Sequence, residues 1–303
     1  MKKSGLCLGL MLGLLCCARA QVTVEVTQDQ QQFLVGESLK VAVRITNLSG
    51  QELHLGAEEG WLTFSIETPE AAVVPKLGEV PVVGAFTLET SKVAIKRVDL
   101  APYFILSRPG SYQIVATLRI REWNRELTSA AKSFDMIQGV KIWEQEVGVP
   151  NSATASGPET RHYILQQANY VRGQIRLYLR VMDSYGKSLR VNLVGPMVSF
   201  GRPETQIDRS SHLHVLHQEK GSLFSYTVFD LQGELLARQT YEYSDSRPRM
   251  RMDDEGNVRV MGGTRRLAAN DVPAKPAEES EPESTGPATA SQPASTNQPA
   301  PPK

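Results

Sequence analysis

The run Gly110-Ser111-Tyr112-Gln113-Ile114-Val115-Ala116-Thr117-Leu118-Arg119-Ile120 decides the fold class of this chain. Tyr112, Ile114, Ala116, Leu118 and Ile120 stand at every second position, the spacing that sends alternate side chains to opposite faces of a strand. The same period recurs upstream. Val22, Val24 and Val26 alternate with Thr23, Glu25 and Thr27, and Leu39, Val41, Val43 and Ile45 alternate with Lys40, Arg44 and Thr46 around a small Ala42. Leu62, Phe64 and Ile66 share one face of a third run. Turn chemistry falls between these runs, at Val35-Gly36-Glu37-Ser38, Asn47-Leu48-Ser49-Gly50 and Ser107-Arg108-Pro109-Gly110. Short half-buried strands with no long helical period predict an all-β chain whose first part is an antiparallel β-sandwich.

Outward from that region, the N-terminus has the three parts of a secretory signal: Lys2-Lys3, an apolar run from Leu6 to Cys17, and Ala18-Arg19-Ala20 as a small-x-small cleavage site. The apolar run falls short of the roughly 20 residues a spanning helix needs, so residues 1–20 are expected to be removed and to leave no transmembrane anchor. A lipidated N-terminus at Cys16 or Cys17 would want a small residue before the cysteine, and Leu15 and Cys16 stand there instead. Because Cys7, Cys16 and Cys17 all lie in the leader, the mature protein is expected to lack thiols, disulfides and cysteine metal sites. Removing Lys2, Lys3 and Arg19 leaves 30 basic against 33 acidic side chains, a balance that draws the chain neither to nucleic acid nor to an anionic membrane. The expected location is the periplasm or the extracellular medium.

Phe33 to Val41, then Asn47-Leu48-Ser49-Gly50, then Leu106 to Tyr112 with Pro109-Gly110-Ser111-Tyr112, give residues 21–147 a resemblance to the immunoglobulin-like domains of bacterial cell-surface proteins. Tyr112 stands where such folds often keep a corner tyrosine, two positions before the inward residue that antibody domains make Cys and that here is Ile114. The resemblance implies a fold and no activity.

Residues 148–160 lose the alternation and gain Gly148, Pro150, Asn151, Ser152, Gly157 and Pro158, which reads as an interdomain linker. A second β domain is expected over 161–266. Ile175, Leu177, Leu179 and Val181 alternate with Arg176, Tyr178 and Arg180, and the strand runs into Asp183-Ser184-Tyr185-Gly186. The unit recurs as Asp230-Leu231-Gln232-Gly233 and Asp253-Asp254-Glu255-Gly256. In each, Asp can bond the backbone two residues on and Gly takes the positive φ that closes a hairpin. Stacked hairpins make a β-meander, and the stretch from His212 to Gly263 resembles a β-propeller blade. A domain of this size holds at most two blades of about 40–45 residues, short of the four a closed propeller needs. From 267 to 303 Pro, Ala, Ser, Thr and Glu predominate, which predicts a disordered tail.

Few constellations point to chemistry. His212 and His214 would project from one strand face roughly 7 Å apart, a workable spacing for two metal-binding imidazoles, with Asp208 nearby and His217 on the opposite face. A polar strand face is the competing reading. Asp253-Asp254-Glu255-Gly256 lacks the alternate acidic positions and closing Glu of a calcium loop. Gly-x-Ser-x-Gly, a phosphate-cradling Gly-rich loop and His-Glu-x-x-His are all absent, so no catalytic residue and no cofactor is assigned. Arg247, Arg249 and Arg251 alternate on one strand, interleaved with Met250 and near Tyr241 and Tyr243, a pattern suited to gripping a carboxylate- or phosphate-bearing partner. Asn47-Leu48-Ser49 fits a glycan acceptor placed in a turn.

These features predict a non-catalytic binding or structural module of the cell envelope, whose partner is an envelope protein or cell-surface polymer. The alternatives are a protease-inhibitor-like or chaperone-like protein using the irregular stretch Pro69 to Ala85, and a metal-dependent envelope hydrolase using His212 and His214.

Overall fold

The computed structural model describes residues 21–154 and 157–273. The expected leader, its three cysteines and the tail from 274 onward lie outside them. The chain is all-β. Its first half contains β1 (Gln21–Gln28), β2 (Gln32–Leu34), β3 (Lys40–Leu48), β4 (Leu53–Leu55), β5 (Leu62–Glu67), β6 (Phe86–Leu88), β7 (Val93–Asp99), β8 (Gly110–Ile120), β9 (Arg125–Thr128) and β10 (Lys132–Ile137).

One sheet runs β1-β3-β7 and the other β2-β10-β8-β5, with β9 beside β8 and a small β4-β6 ribbon. The chain changes sheets between β1, antiparallel to β3, and β2, parallel to β10. The alternation read from the sequence is the burial pattern: on β8 every second residue from Tyr112 to Ile120 is buried. Val41, Val43 and Ile45 from one sheet meet Phe64, Ile66, Ile114 and Phe134 from the other in a single core. Burying each such aliphatic or aromatic side chain stabilises the fold by about 1.5–3 kcal/mol. The Tyr112 ring stacks on Phe134 with centroids 5.6 Å apart, and its hydroxyl donates to the Arg108 carbonyl at 2.9 Å.

The second half contains β11 (Val140–Thr154), β12 (Gly157–Tyr170), β13 (Gln174–Asp183), β14 (Ser188–Met197), β15 (Glu204–Ile207), β16 (Leu213–Lys220), β17 (Leu223–Phe229), β18 (Leu235–Glu242), β19 (Arg249–Met252), β20 (Val258–Met261) and β21 (Thr264–Arg266). Strands β11 to β14 form one antiparallel meander, and β15-β16-β17-β18-β21 form a second. Tyr163, Leu165, Leu177 and Leu179 of the first pack on Leu213, Val215 and Phe229 of the second. On the far side of the second sheet, Phe224, Tyr226 and Val228 cover Met250 and Val258 of the β19-β20 ribbon. The meander reading therefore resolves into two facing sheets and a ribbon.

Three expectations are corrected. The linker over 148–160 is instead the far part of the β11-β12 hairpin, with Gly148 opposite Thr160 and Ala153 opposite Pro158, so the second unit starts at Val140 and not at 161. Gly and Pro suggest a chain break there, yet a hairpin's terminal residues tolerate them. The tail does not begin at 267: Ala268 donates to Asp271, and Val272, the β-branched aliphatic of that stretch, pairs with Arg238. Asn47 is fully buried, and its Nδ2 donates to Gln51 O at 2.7 Å and Leu88 O at 2.9 Å, so it is closed to a glycan.

Candidate functional site

The Asp-x-x-Gly hairpins share one geometry. Gly186 N–H donates to Asp183 O, Gly233 to Asp230 O and Gly256 to Asp253 O, while each Asp Oδ1 accepts the amide four residues on. The glycines have φ of 79°, 76° and 79°, the left-handed region that a side chain disfavours.

A fourth copy joins β15 to β16. Asp208 Oδ1 accepts from the Ser210 and His212 amides at 2.8 and 2.9 Å, and Ser211 N–H donates to Asp208 O at 3.0 Å. Ser211 takes the glycine place, at φ 63°. That conformation is held from outside the turn: Ser211 Oγ donates to Gly148 O at 3.0 Å, and the Tyr163 hydroxyl donates to Ser211 O at 2.9 Å. The turn is thereby fastened to β11 and β12.

Only this copy carries histidines. Asp208 Oδ2 lies 3.1 Å from both His212 Nδ1 and His214 Nε2, and His214 Nδ1 lies 2.7 Å from the Tyr226 hydroxyl. With both imidazoles turned to the carboxylate, the other ring nitrogen of His214 is left to the Tyr226 hydroxyl. Burial opposes ionisation of Asp208, but the hydrogen bonds from His212 and His214 outweigh it and hold the carboxyl well below the usual range. The same bond to Asp208 raises the His212 pKa above its ordinary value. Burial pushes the Tyr226 hydroxyl up, so it stays a donor. Chemically the cluster is a chain of satisfied polar groups. His214 lies in β16, whereas His212 precedes the strand in the turn. Each spends a ring nitrogen on the same carboxylate, and among the described residues no group of three His, Cys, Asp or Glu side chains is disposed to hold a metal.

His217, on the other face of β16, is 1% exposed and sits opposite Ser225 on β17. Its Nε2 lies 3.2 Å from Pro196 O, and burial pulls its pKa down to about 4.

The arginine group divides. Arg249 pairs with Glu204 at 3.2 Å, and Arg247 lies 5.1 Å from the Phe224 ring centre. Arg251 is exposed opposite Arg259, which approaches Asp253 at 3.6 Å. Tyr241 is half-buried, its hydroxyl bonded to Gln239 at 2.8 Å, and Tyr243 is exposed. Arg249 and Arg251 do share an exposed face, as their alternation predicts, but carboxylates from neighbouring elements already occupy much of the basic group. Sequence spacing gave the face and could not give Glu204, which arrives from β15.

At one end of the first unit lies a surface that the residue pattern only hinted at. The stretch Pro69 to Ala85 is irregular yet tethered: Val74 N donates to Ile66 O at 2.8 Å, Leu77 N to Tyr103 O at 2.9 Å, Ile105 N to Pro75 O at 3.1 Å, and Trp61 Nε1 to Val82 O at 2.7 Å. Val73, Leu77 and Val83 are 66%, 67% and 79% exposed. Beside it are two clefts of about 420 and 450 Å³, both lined by the 56–59 loop.

No protein-family model matches the chain, and no curated protein matches it. Among solved structures, the crystal structure of Spo0M, sporulation control protein, from Bacillus subtilis, is similar over 55% of this chain and 82% of its own length, at 8% identity and a TM-score of 0.27. Likeness that slight bears on neither fold nor function.

Sequence reasoning passed over Ser211 because it searched for glycine. A periodic signal marks the place, since Asp183, Asp208, Asp230 and Asp253 follow one another at intervals of 25, 22 and 23 residues.

Proposed function

We propose that this chain is a non-catalytic, exported binding module of the cell envelope, made of an immunoglobulin-like domain and a β-meander domain, and that it engages an envelope protein through the loop from Pro69 to Ala85. The observation that carries the reading is that Val73, Leu77 and Val83 are exposed on a loop whose backbone is already fixed to β5, Trp61 and the 103–105 segment. Exposed aliphatic groups on an ordered loop lose little entropy on docking, and binding residues concentrate on loops set on rigid sheets. The leader sequence over 1–20 supports export. Strand order β1-β3-β7 against β10-β8-β5, together with the Tyr112 to Arg108 bond at the start of β8, supports the immunoglobulin-like reading.

The test is capture from native envelope extract by the mature protein and by a Val73→Ser/Leu77→Ser/Val83→Ser variant with an unchanged melting curve. The reading expects a specific protein lost with the variant. The same protein retained by the variant removes the loop from the proposal, and turnover of a small substrate by the mature protein removes the non-catalytic assignment.

A further inference from the structure

The two clefts next to this loop meet where its backbone crosses the 56–60 loop. A Cβ added at Gly56, whose φ is 82°, would collide with Gly84 O, so the two loops touch, and the 56–59 loop lines both clefts. Leu55 and Trp61 lie at the first cleft, and Leu62, Val80 and Val82 at the second. Each has the volume of an ordinary ligand site.

The first cleft also lies along an open strand edge. Among the described residues strand β4 pairs only with β6, and the His54 amide, on the side away from β6, donates to the Glu122 carboxylate at 3.1 Å. A side-chain carboxylate thus occupies the position that the carbonyl of an added strand would take. The charges around it are unequal. Glu58, Glu59, Glu79 and Glu122 line the two clefts, against Arg119 and Arg121. Arg121 is held by Glu58, Arg119 lies 3.4 Å from Glu126, and Lys76 engages Glu79 at 3.1 Å. His54 lies between Glu52 and Glu122, at 3.6 and 3.4 Å. Lys96, 6.0 Å from the Trp61 ring centre, is held 4.2 Å over the Phe86 ring. Glu59 has no ion-pair partner among the described residues.

We infer that the free edge of β4 and the cleft beside it dock an extended segment of a partner protein in which aliphatic residues alternate with lysine or arginine. This rests on the binding-module reading and names the partner's chemistry. The incoming carbonyl takes the His54 N–H, the displaced Glu122 meets the cation, and an aliphatic side chain enters the apolar cleft beside Leu55 and Trp61. Because β4 has three residues and offers few backbone bonds, the isolated contact is weak and salt-sensitive.

The test titrates the mature protein with acetyl-Val-Lys-Val-Lys-Val-amide and with its Glu-for-Lys counterpart, following the His54 amide and the Trp61 indole by NMR. The lysine peptide is expected to shift both signals saturably, and the glutamate peptide neither. Glu122→Gln keeps the acceptor for His54 and removes the charge, so with Glu59→Gln it should weaken binding by roughly tenfold. Equal response to the two peptides, no response, or undiminished affinity in the double variant overturns the docking site. The larger reading fails separately: loss of capture by the loop variant with a silent His54 amide keeps the module and removes this groove. Peptide binding without any captured protein keeps the groove and removes the module.

Discussion

Arg180 Nη2 donates to the carbonyl oxygen of Val35 at 2.6 Å, across the boundary between the two halves of the molecule. Its Nε donates to Gln166 at 3.1 Å, so the guanidinium is oriented from its own sheet before it crosses. Around it, Arg176 donates to Gln30 at 2.9 Å, and Gln30 donates to the buried Glu37 carboxylate at 2.9 Å. Leu34 packs with Ala168, Tyr178 and Val191. Arg180→Ala leaves the Val35 carbonyl without its donor and should cost about 2 kcal/mol. Urea unfolding measures the loss, and faster proteolysis near Gln138-Gly139 would show that the halves have loosened. Arg180→Lys should recover little, because a lysine cannot present the planar fork that serves both acceptors. A variant as stable and as protease-resistant as the parent would show that the contact does not hold the halves together.

That junction marks the limit of what the residues disclose. The alternation in β13 gives a strand with Leu177, Leu179 and Val181 on one face, and the structure keeps it. The same pattern makes Arg176, Tyr178 and Arg180 look like a solvated face, whereas they face the first half of the molecule, with Tyr178 fully buried. Period two separates faces and does not say what lies against them. The Asp-x-x-Gly turns were legible because each is closed within five residues. The β11-β12 hairpin and the β2-β10 pairing were not, because register between distant segments is set by packing. The histidine cluster was half legible: the spacing brought His212 and His214 together, and the carboxylate that consumes their nitrogens depends on a turn without glycine.

The turn glycines separate backbone strain from crowding. At Gly186 an added Cβ meets nothing within 4 Å, so Gly186→Ala should cost about 1–2 kcal/mol, from the left-handed conformation alone. At Gly233 the Cβ would lie 2.9 Å from Val181 Cγ2, where the turn abuts the other sheet. Gly233→Ala should therefore be clearly the more damaging when the two melting temperatures are compared. Equal losses would mean that the sheets part easily at that point.

Stability should respond to pH through two histidines with opposite signs. The folded pKa of His217 is pulled down to about 4 from 6.5, so between those values the unfolded chain holds a proton that the folded chain lacks. Stability from this site is complete above 6.5 and falls as the pH drops toward 4, by roughly 3 kcal/mol in all. His212 is raised by its bond to Asp208, so its contribution is complete below 6.5 and declines as pH rises through the folded value. The two contributions together favour stability near pH 6.5. Urea midpoints across this range, for the parent and for His217→Gln, provide the check. A variant with the parent's loss at low pH would place the acid sensitivity elsewhere.

The Tyr112 hydroxyl offers a test of the first half of the molecule that leaves its core in place. Phe134 stacks on the ring and Arg108 O takes the hydroxyl, so Tyr112→Phe keeps the packing and removes one hydrogen bond. Because that bond spans only four residues, its effect is to hold the Ser107-Arg108-Pro109-Gly110 turn against the first residues of β8. The expected loss is about 1 kcal/mol, the ordinary net value of such a bond, read as a lower urea midpoint with an unchanged slope. Exchange of the backbone amides at the start of β8 should quicken while those of Ile114 to Leu118 stay protected, because that part of the strand pairs with β5 throughout and with β9 from Thr117 onward. Uniformly faster exchange along β8 would mean that the tyrosine supports the whole sheet and not this corner.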